Sequence, residues 1–476
     1  MPDVVLPAGR SGWPPAALAA SVALVLVVVV LAPEAAPLVP VLLVLLVAGG
    51  ALVVWGASAT LERTAGAPRA AALVLVSVLS LAALGGDDGV DPFEIAFGIV
   101  LLLYPVAWYT LSAVEGYRFI RRAPDVVLAG FFVHALIVGV GLALLGDGLN
   151  SEFRSDVTTV LAFSLFFPAR EVVARQDNGP RLVAGLLLML SIAAAASSAY
   201  RLAQTFSNAT AYYEIVDVRV ASGEIQIIAG LLVALSAVTA ARSRAARLGL
   251  LATAGVLLGG LVLAKSRGPW VVAAGGLVLA GLLLPAKGRW RLLGYGGAGA
   301  VLLFGSAVLF FGEQLVLVGV GLLRRLTSIS SAFTQDVSLL NRYEETAEAW
   351  REVRQSPVLG HGWGAQIYRN DLIVNGSFSW GFVHNGYVWL WHKVGAVGLV
   401  LFAIPFVSVP LYAVRATRSA RLSDEHRAYA AATVGAIAAF AVLGLPSNPF
   451  AVLDQMVVVT LTMALGAGLY ERAFPS

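Results

Sequence analysis

Cysteine is absent from the 476 residues, which excludes disulfides, thiolate metal sites and thiol nucleophiles. Charge is scarce: 13% of residues are Asp, Glu, Lys or Arg, against roughly a quarter in a soluble domain. Lysine occurs only at Lys265, Lys287 and Lys393, so the positive charge is carried by arginine. No ligand spacing for zinc appears, the acidic run Asp87-Asp88-Gly89-Val90-Asp91 has too little around it to hold a metal, and no cofactor motif is present. Signals for nucleic-acid binding are also missing.

What the chain has in excess is apolar sequence, at 59% of residues with a mean hydropathy of +0.83. Runs such as Ala16–Leu31, Pro37–Trp55 and Leu182–Ala199 approach or reach the ~20 residues needed to cross a bilayer core. They are too long and continuous for barrel strands, so the pattern predicts an all-α polytopic membrane protein. About 12–14 transmembrane helices are expected by the ~20-residue criterion. They start near Ala16, Pro37, Ala70, Ile95, Val126, Asp156, Arg181, Ile225, Leu248, Pro269, Leu292, His384, Tyr429 and Val452, the Asp156 run being the shortest. Eleven spans are read in residues 1–311, a large loop at 312–383 containing short helices, and further spans at 384–476. The first run follows a single basic residue, Arg10, and a second begins soon after it, which does not fit a cleavable signal.

Loop charges alternate. Arg118/Arg121/Arg122, Arg170/Arg175/Arg181, Arg242/Arg244/Arg247, Lys287/Arg289/Arg291 and Arg415/Arg418/Arg421/Arg427 mark one side, and Glu34, Asp87/Asp88/Asp91/Glu94 and Asp147/Glu152 the other. Short cytoplasmic loops retain Lys and Arg, so the basic set is expected inside, with both termini. Lys265-Ser266-Arg267 and the 312–383 loop then fall outside, where arginine is disfavoured and an anion is one reason to keep it.

Four constellations lie on that side. In Lys265-Ser266-Arg267-Gly268-Pro269-Trp270 two apolar runs meet almost without a loop; Arg267 offers a fork of donors suited to phosphate oxygens, and Ser266 and the next helix start add donors. A snorkelling arginine is the plain alternative. In Arg342–Arg354 a helical pattern sets Arg342, Glu345, Ala349 and Trp350 along one side, with Glu348, Arg351 and Glu352 read as solvated and Pro357 as the stop. Gly360-His361-Gly362-Trp363-Gly364 is a turn that could cradle an anionic or sugar ligand or be only a tight turn. His384-Asn385-Gly386 puts a histidine, whose pKa suits taking a hydroxyl proton, at the outer mouth of the next span. Of the other histidines, His134 lies in an apolar span, His426 is cytoplasmic and His392 sits deeper on the same helix as His384.

In this order, Ser266-Arg267-Gly268, Arg342 with Trp350, Pro357 with Gly360, Gly362 and Gly364, and His384-Asn385 resemble the O-antigen ligase and O-antigen polymerase superfamily. The resemblance covers about the second half of the chain. It implies a GT-C-like helical glycosyltransferase of the bacterial inner membrane, with its active site facing outward. The donor would be an undecaprenyl-diphosphate-linked glycan and the acceptor a lipid or polysaccharide. Arg267, Arg342 and Ser266 would bind the diphosphate, His384 would be the base with Asn385 orienting it, and neither metal nor cofactor would be required. The rival class, a transporter or flippase, would need ionisable groups near the bilayer midplane. The sequence places charge at the outer surface instead, with His134 the main exception within a span.

Overall fold

The computed structural model describes residues 120–146, 150–208, 223–264, 266–297, 337–371 and 376–475, with a few positions between 73 and 110. Among the described residues, seven helices are long and apolar enough to cross a membrane. The spans expected near Ala16 and Pro37 lie outside the described residues, and those near Ala70, Ile95 and Leu292 are described only in part.

The bundle is built from α1 (Ala123–Leu145, with a π-helical stretch at Ala135–Val140), α2 (Ser151–Arg175), α3 (Gly179–Asn208) and α4 (Glu224–Ala240). α5 (Arg244–Leu263) and α6 (Arg267–Leu283) follow, and α8 (Gly386–Thr417), α9 (Asp424–Leu443) and α10 (Leu453–Ala473) close it. Between α6 and α8 the long loop, expected on the outer side, contributes α7 (Val337–Val353) and an antiparallel hairpin of β1 (Ile367–Asp371) and β2 (Gly376–Trp380). The loop was expected to contain short helices, and the hairpin stands beside α7 in addition. The strands follow from the alternation of buried Ile367 and Arg369 with exposed Tyr368 and Asn370.

α4, α9 and α10 are buried almost all round and form the centre of the bundle. Where the chain is apolar on every face, only neighbouring helices satisfy the packing, so these are the interior spans. The short run at Asp156 is a full 25-residue span. It looked short because Glu152, Arg154 and Asp156 interrupt its apolar character, and two of those charges have partners inside the protein.

One end of the bundle gathers the basic residues. Arg181 holds Glu425 through two bonds of 2.9 and 2.7 Å, and Tyr429 donates to the same carboxylate. Arg122 donates to the Phe474 carbonyl and lies 4.3 Å over the Tyr470 ring. Arg170, fully buried, pairs with Asp125 and with Glu471, the latter at 3.2 Å. This end is the side read as cytoplasmic from the arginines.

The sequence reading that charge concentrates at the outer surface is incomplete. Lys393 of α8 is fully buried and pairs with Asp156 of α2 at 2.7 Å, and it also donates to the Ala365 carbonyl. Removing one partner of a buried pair strands the other charge. Lys393→Met should therefore cost about 3–5 kcal/mol of stability, read as a lower melting temperature in detergent, and Lys393→Met with Asp156→Asn should regain part of it. Equal melting of wild type and the single variant would remove this pair from the account of stability.

α8 is broken at Gly395, where φ is 67° and ψ is −177°. The break frees backbone groups in an apolar surround, where each needs a partner. The segment 357–363 supplies them. His361 N–H donates to the His392 carbonyl at 2.8 Å and Gly362 N–H to the Lys393 carbonyl at 2.9 Å. Past the break, Ala396 N–H donates to the Pro357 carbonyl at 2.9 Å and Val397 N–H to Val358 at 3.3 Å. His134, read from sequence as an isolated mid-span histidine, sets its Nε2 2.8 Å from the Val394 carbonyl.

Candidate active site

Glu345 organises the site. It lies on α7 one turn after Arg342 and is fully buried. Its carboxylate accepts the His384 backbone N–H at 2.6 Å, faces His384 Nδ1 at 2.9 Å and pairs with Arg369 of β1. Arg369 is itself buried, 5.1 Å from each of the Phe378 and Trp380 ring centroids. A buried carboxylate with a cation on one side is tolerable in low dielectric, and its remaining lone pairs accept from the histidine. With Nδ1–H donated to Glu345, the lone pair of His384 falls on Nε2. Nε2 makes no hydrogen bond among the described residues, and the side chain is 32% exposed. This is an imidazole held in one orientation and one tautomer with its basic nitrogen turned outward.

Asn385 has a different place from the one expected. Its side-chain oxygen accepts from Tyr387 N–H at 3.2 Å and Val388 N–H at 3.1 Å, capping α8. The cap makes the chain leave the helix at His384, so His384 precedes α8 and does not share a helix with His392, as the sequence had suggested. Asn385 thus positions His384 through the backbone.

The turn between α9 and α10 ties the remote elements together. Gly386 N–H donates to the Gly444 carbonyl at 2.9 Å, and Asn448, buried, donates to the Val383 carbonyl at 2.8 Å. Arg342 donates to the Pro446 carbonyl at 2.7 Å. At the start of α6 a side chain on Gly268 would meet Leu443, at the end of α9. Glu224, at the first position of α4, has Ser266 and Arg342 as electrostatic neighbours. Ser266 and Arg342, 76 residues apart in sequence, are thereby neighbours around one carboxylate. Arg267 occupies the first position of α6; its side chain, like all of Lys265, lies outside the described residues.

Gly360, His361, Gly362 and Gly364 are engaged in holding the fold. All three glycines have φ between 79° and 91°. A Cβ on Gly360 would stand 2.5 Å from the Gly395 nitrogen, on Gly362 2.7 Å from the Ala143 nitrogen, and on Gly364 2.8 Å from Asn150 Oδ1. Gly364 N–H donates to Asp156 at 2.7 Å and its carbonyl accepts from Asn150 at 3.0 Å. His361 stacks on His392 with centroids 4.9 Å apart, and its Nε2 lies 2.9 Å from the Glu352 carbonyl. The tight-turn reading describes this motif better than the ligand-cradle reading, because helix backbone already fills the concavity. A cleft of about 210 Å³ remains beside it, lined by His361, Trp363 and Gln366 among others.

Sequence reasoning set Glu345 on the same side of its helix as Arg342 but gave it no role, and it did not single out Arg369, Glu224 or Asn448. Glu348, read as solvated, is buried and accepts Asn370 N–H at 3.1 Å. Trp350, set by the helical pattern on the side of Arg342, packs edge-on against Trp391 of α8 at 5.0 Å.

Two comparisons bear on this arrangement. Residues 252–403, from within α5 through the outer loop into α8, match a family model described as O-antigen ligase. No curated protein matches the chain.

Proposed function

We propose that the chain, whose residues 252–403 match an O-antigen ligase family model, is a membrane glycosyltransferase moving a glycan from an undecaprenyl-diphosphate donor to an acceptor hydroxyl. The observation that carries the reading is the approach of Ser266, Arg342 and the Glu345–His384 pair around the α9–α10 turn, from three separate stretches of sequence. Arg342, Ser266 and Arg267 hold the diphosphate. Their donors stabilise the negative charge that grows as the glycosidic oxygen departs with the bonding electrons. His384 Nε2 takes the proton of the acceptor hydroxyl while that oxygen bonds to the anomeric carbon from the side opposite the diphosphate, so configuration inverts. Glu345 stabilises the imidazolium that forms. The transfer needs no metal and takes place on the outer face of the cytoplasmic membrane, the side opposite the arginine-rich loops.

A ligase passes the glycan to a lipid A-core or other envelope acceptor, and a polymerase passes it to a second lipid-linked repeat. Purified protein given a defined undecaprenyl-diphosphate oligosaccharide alone separates the two. A ladder of lengthened lipid-linked glycan identifies a polymerase; tight binding without a ladder identifies a ligase that needs a separate acceptor. His384→Ala should lower transfer by roughly 10²–10⁴-fold while donor binding persists, and Arg342→Ala should weaken donor binding itself. Neither binding nor transfer by the wild-type protein would overturn the reading.

A further inference from the structure

β2 and the residues after it alternate in a way that the transfer chemistry does not use. Phe378 and Trp380 share one face of β2, about 7 Å apart, and Phe382 and His384 keep the every-second-position spacing after the strand ends at Trp380. Phe378 and Trp380 have ring centroids 5.5 Å apart, and the Phe382 ring meets the His384 imidazole edge-on at 5.2 Å. Trp380 is 43% exposed, and Phe378 and Phe382 are half-buried. The rings are fixed from beneath, because Arg369 lies against both Phe378 and Trp380 while paired with buried Glu345. Glu152 of α2 lies against the residue after the strand, where a Cβ on Gly381 would stand 2.6 Å from its carboxylate oxygen.

We propose that Phe378, Trp380 and Phe382 form a stacking track for the sugar rings of the acceptor glycan, ending at His384. This rests on the reading of the site as a glycan transferase. A pyranose ring presents one face of axial C–H groups that stacks on an aromatic face, while its hydroxyls stay with water at the rim. A rigid row of such rings leading to the base, with Trp380 exposed and Phe378 and Phe382 half-buried, would deliver the chain end-first, with the terminal hydroxyl at Nε2. The opposite face of the hairpin carries Tyr368, Asn370, Ser377 and Ser379, a polar surface that leads away from His384. An apolar occupant such as the donor's polyprenyl tail fits the track poorly, because the row runs through the loop's polar hairpin and not along a span.

The test uses the full-length protein, donor extracted as lipid-linked oligosaccharide from the producing cells, and delipidated envelope glycan from the same cells as acceptor. Trp380→Ala should raise the acceptor KM about 3–10-fold with the donor KM within experimental error, and Trp380→Tyr should restore most of the affinity. An acceptor KM unmoved in Trp380→Ala, in protein whose melting temperature matches wild type, overturns the track. So does a rise in the donor KM equal to that of the acceptor. If the alanine variant melts early, Trp380→Tyr and Phe378→Leu carry the comparison, and an acceptor KM at the wild-type value in Phe378→Leu counts against the track. Absence of both donor binding and transfer by the wild-type protein, with donor and acceptor present together, is a failure of the transferase reading and not of the track.

Discussion

Glu345→Gln should slow transfer by on the order of 10²-fold and leave donor binding close to wild type. The carboxylate accepts from three directions: the His384 backbone N–H, His384 Nδ1 and the Arg369 guanidinium. An amide has one acceptor oxygen and an NH₂ group. If the NH₂ faces His384, Nδ1 becomes an acceptor and the proton moves to Nε2, the atom that must receive the hydroxyl proton. If it faces Arg369, two donors oppose each other in a buried space and the loop must shift. The base is impaired either way, whereas Ser266, Glu224 and Arg342 are untouched. Residues acting as one unit are non-additive, so Glu345→Gln combined with His384→Ala should be no slower than His384→Ala alone. A Glu345→Gln enzyme within about threefold of wild type, or a double variant far slower than His384→Ala, would show that the two residues do not act together. Glu345→Ala leaves Arg369 buried without its carboxylate and should add about 3–5 kcal/mol of destabilisation.

Gly395→Ala is the second large effect, and it acts on structure. The backbone there has positive φ with extended ψ, a region held almost only by glycine, at a cost of about 1–3 kcal/mol for other residues. The new methyl would also collide with the Val358 carbonyl, so the loop segment that closes the break has to move. Together these should lower the melting temperature and, because the same loop is continuous with the hairpin and His384, reduce transfer. Gly255→Ala is the control: it sits in α5 with nothing within 4 Å of a new methyl. Wild-type melting and transfer by Gly395→Ala would mean that the break in α8 is dispensable.

The sequence made the membrane class legible because apolar runs of span length have no soluble alternative, and each described span coincides with such a run. It singled out Ser266, Arg342 and His384 because arginine and histidine kept against the positive-inside trend are unusual. Glu345 was visible only as a helix position, since its value depends on Arg369, which follows it by 24 residues on another element. The glycine turn misled in the other direction. Three glycines in five residues signal close approach, but a sequence does not say whether the approaching object is a ligand or, as here, the helix broken at Gly395. Asn385 beside a histidine reads as a catalytic pair, whereas an Asn before a long apolar helix is equally the signature of a cap. The hairpin was missed because its alternation is short and one inward position is arginine.

The closure of the α8 break by 357–363 has a consequence for how the molecule breathes. The amide hydrogens of His361 and Gly362 end on the helix, and those of Ala396 and Val397 end on the loop. None of these four can meet solvent deuterium unless both partners separate. They should exchange at a common slow rate, set by opening of the transmembrane helix, although two of them belong to an extramembrane connection that would otherwise exchange quickly. A loop tied in this way has no independent open state of its own: if His384 is the base proposed above, the acceptor has to be accommodated by side chains of the hairpin, not by the loop lifting away.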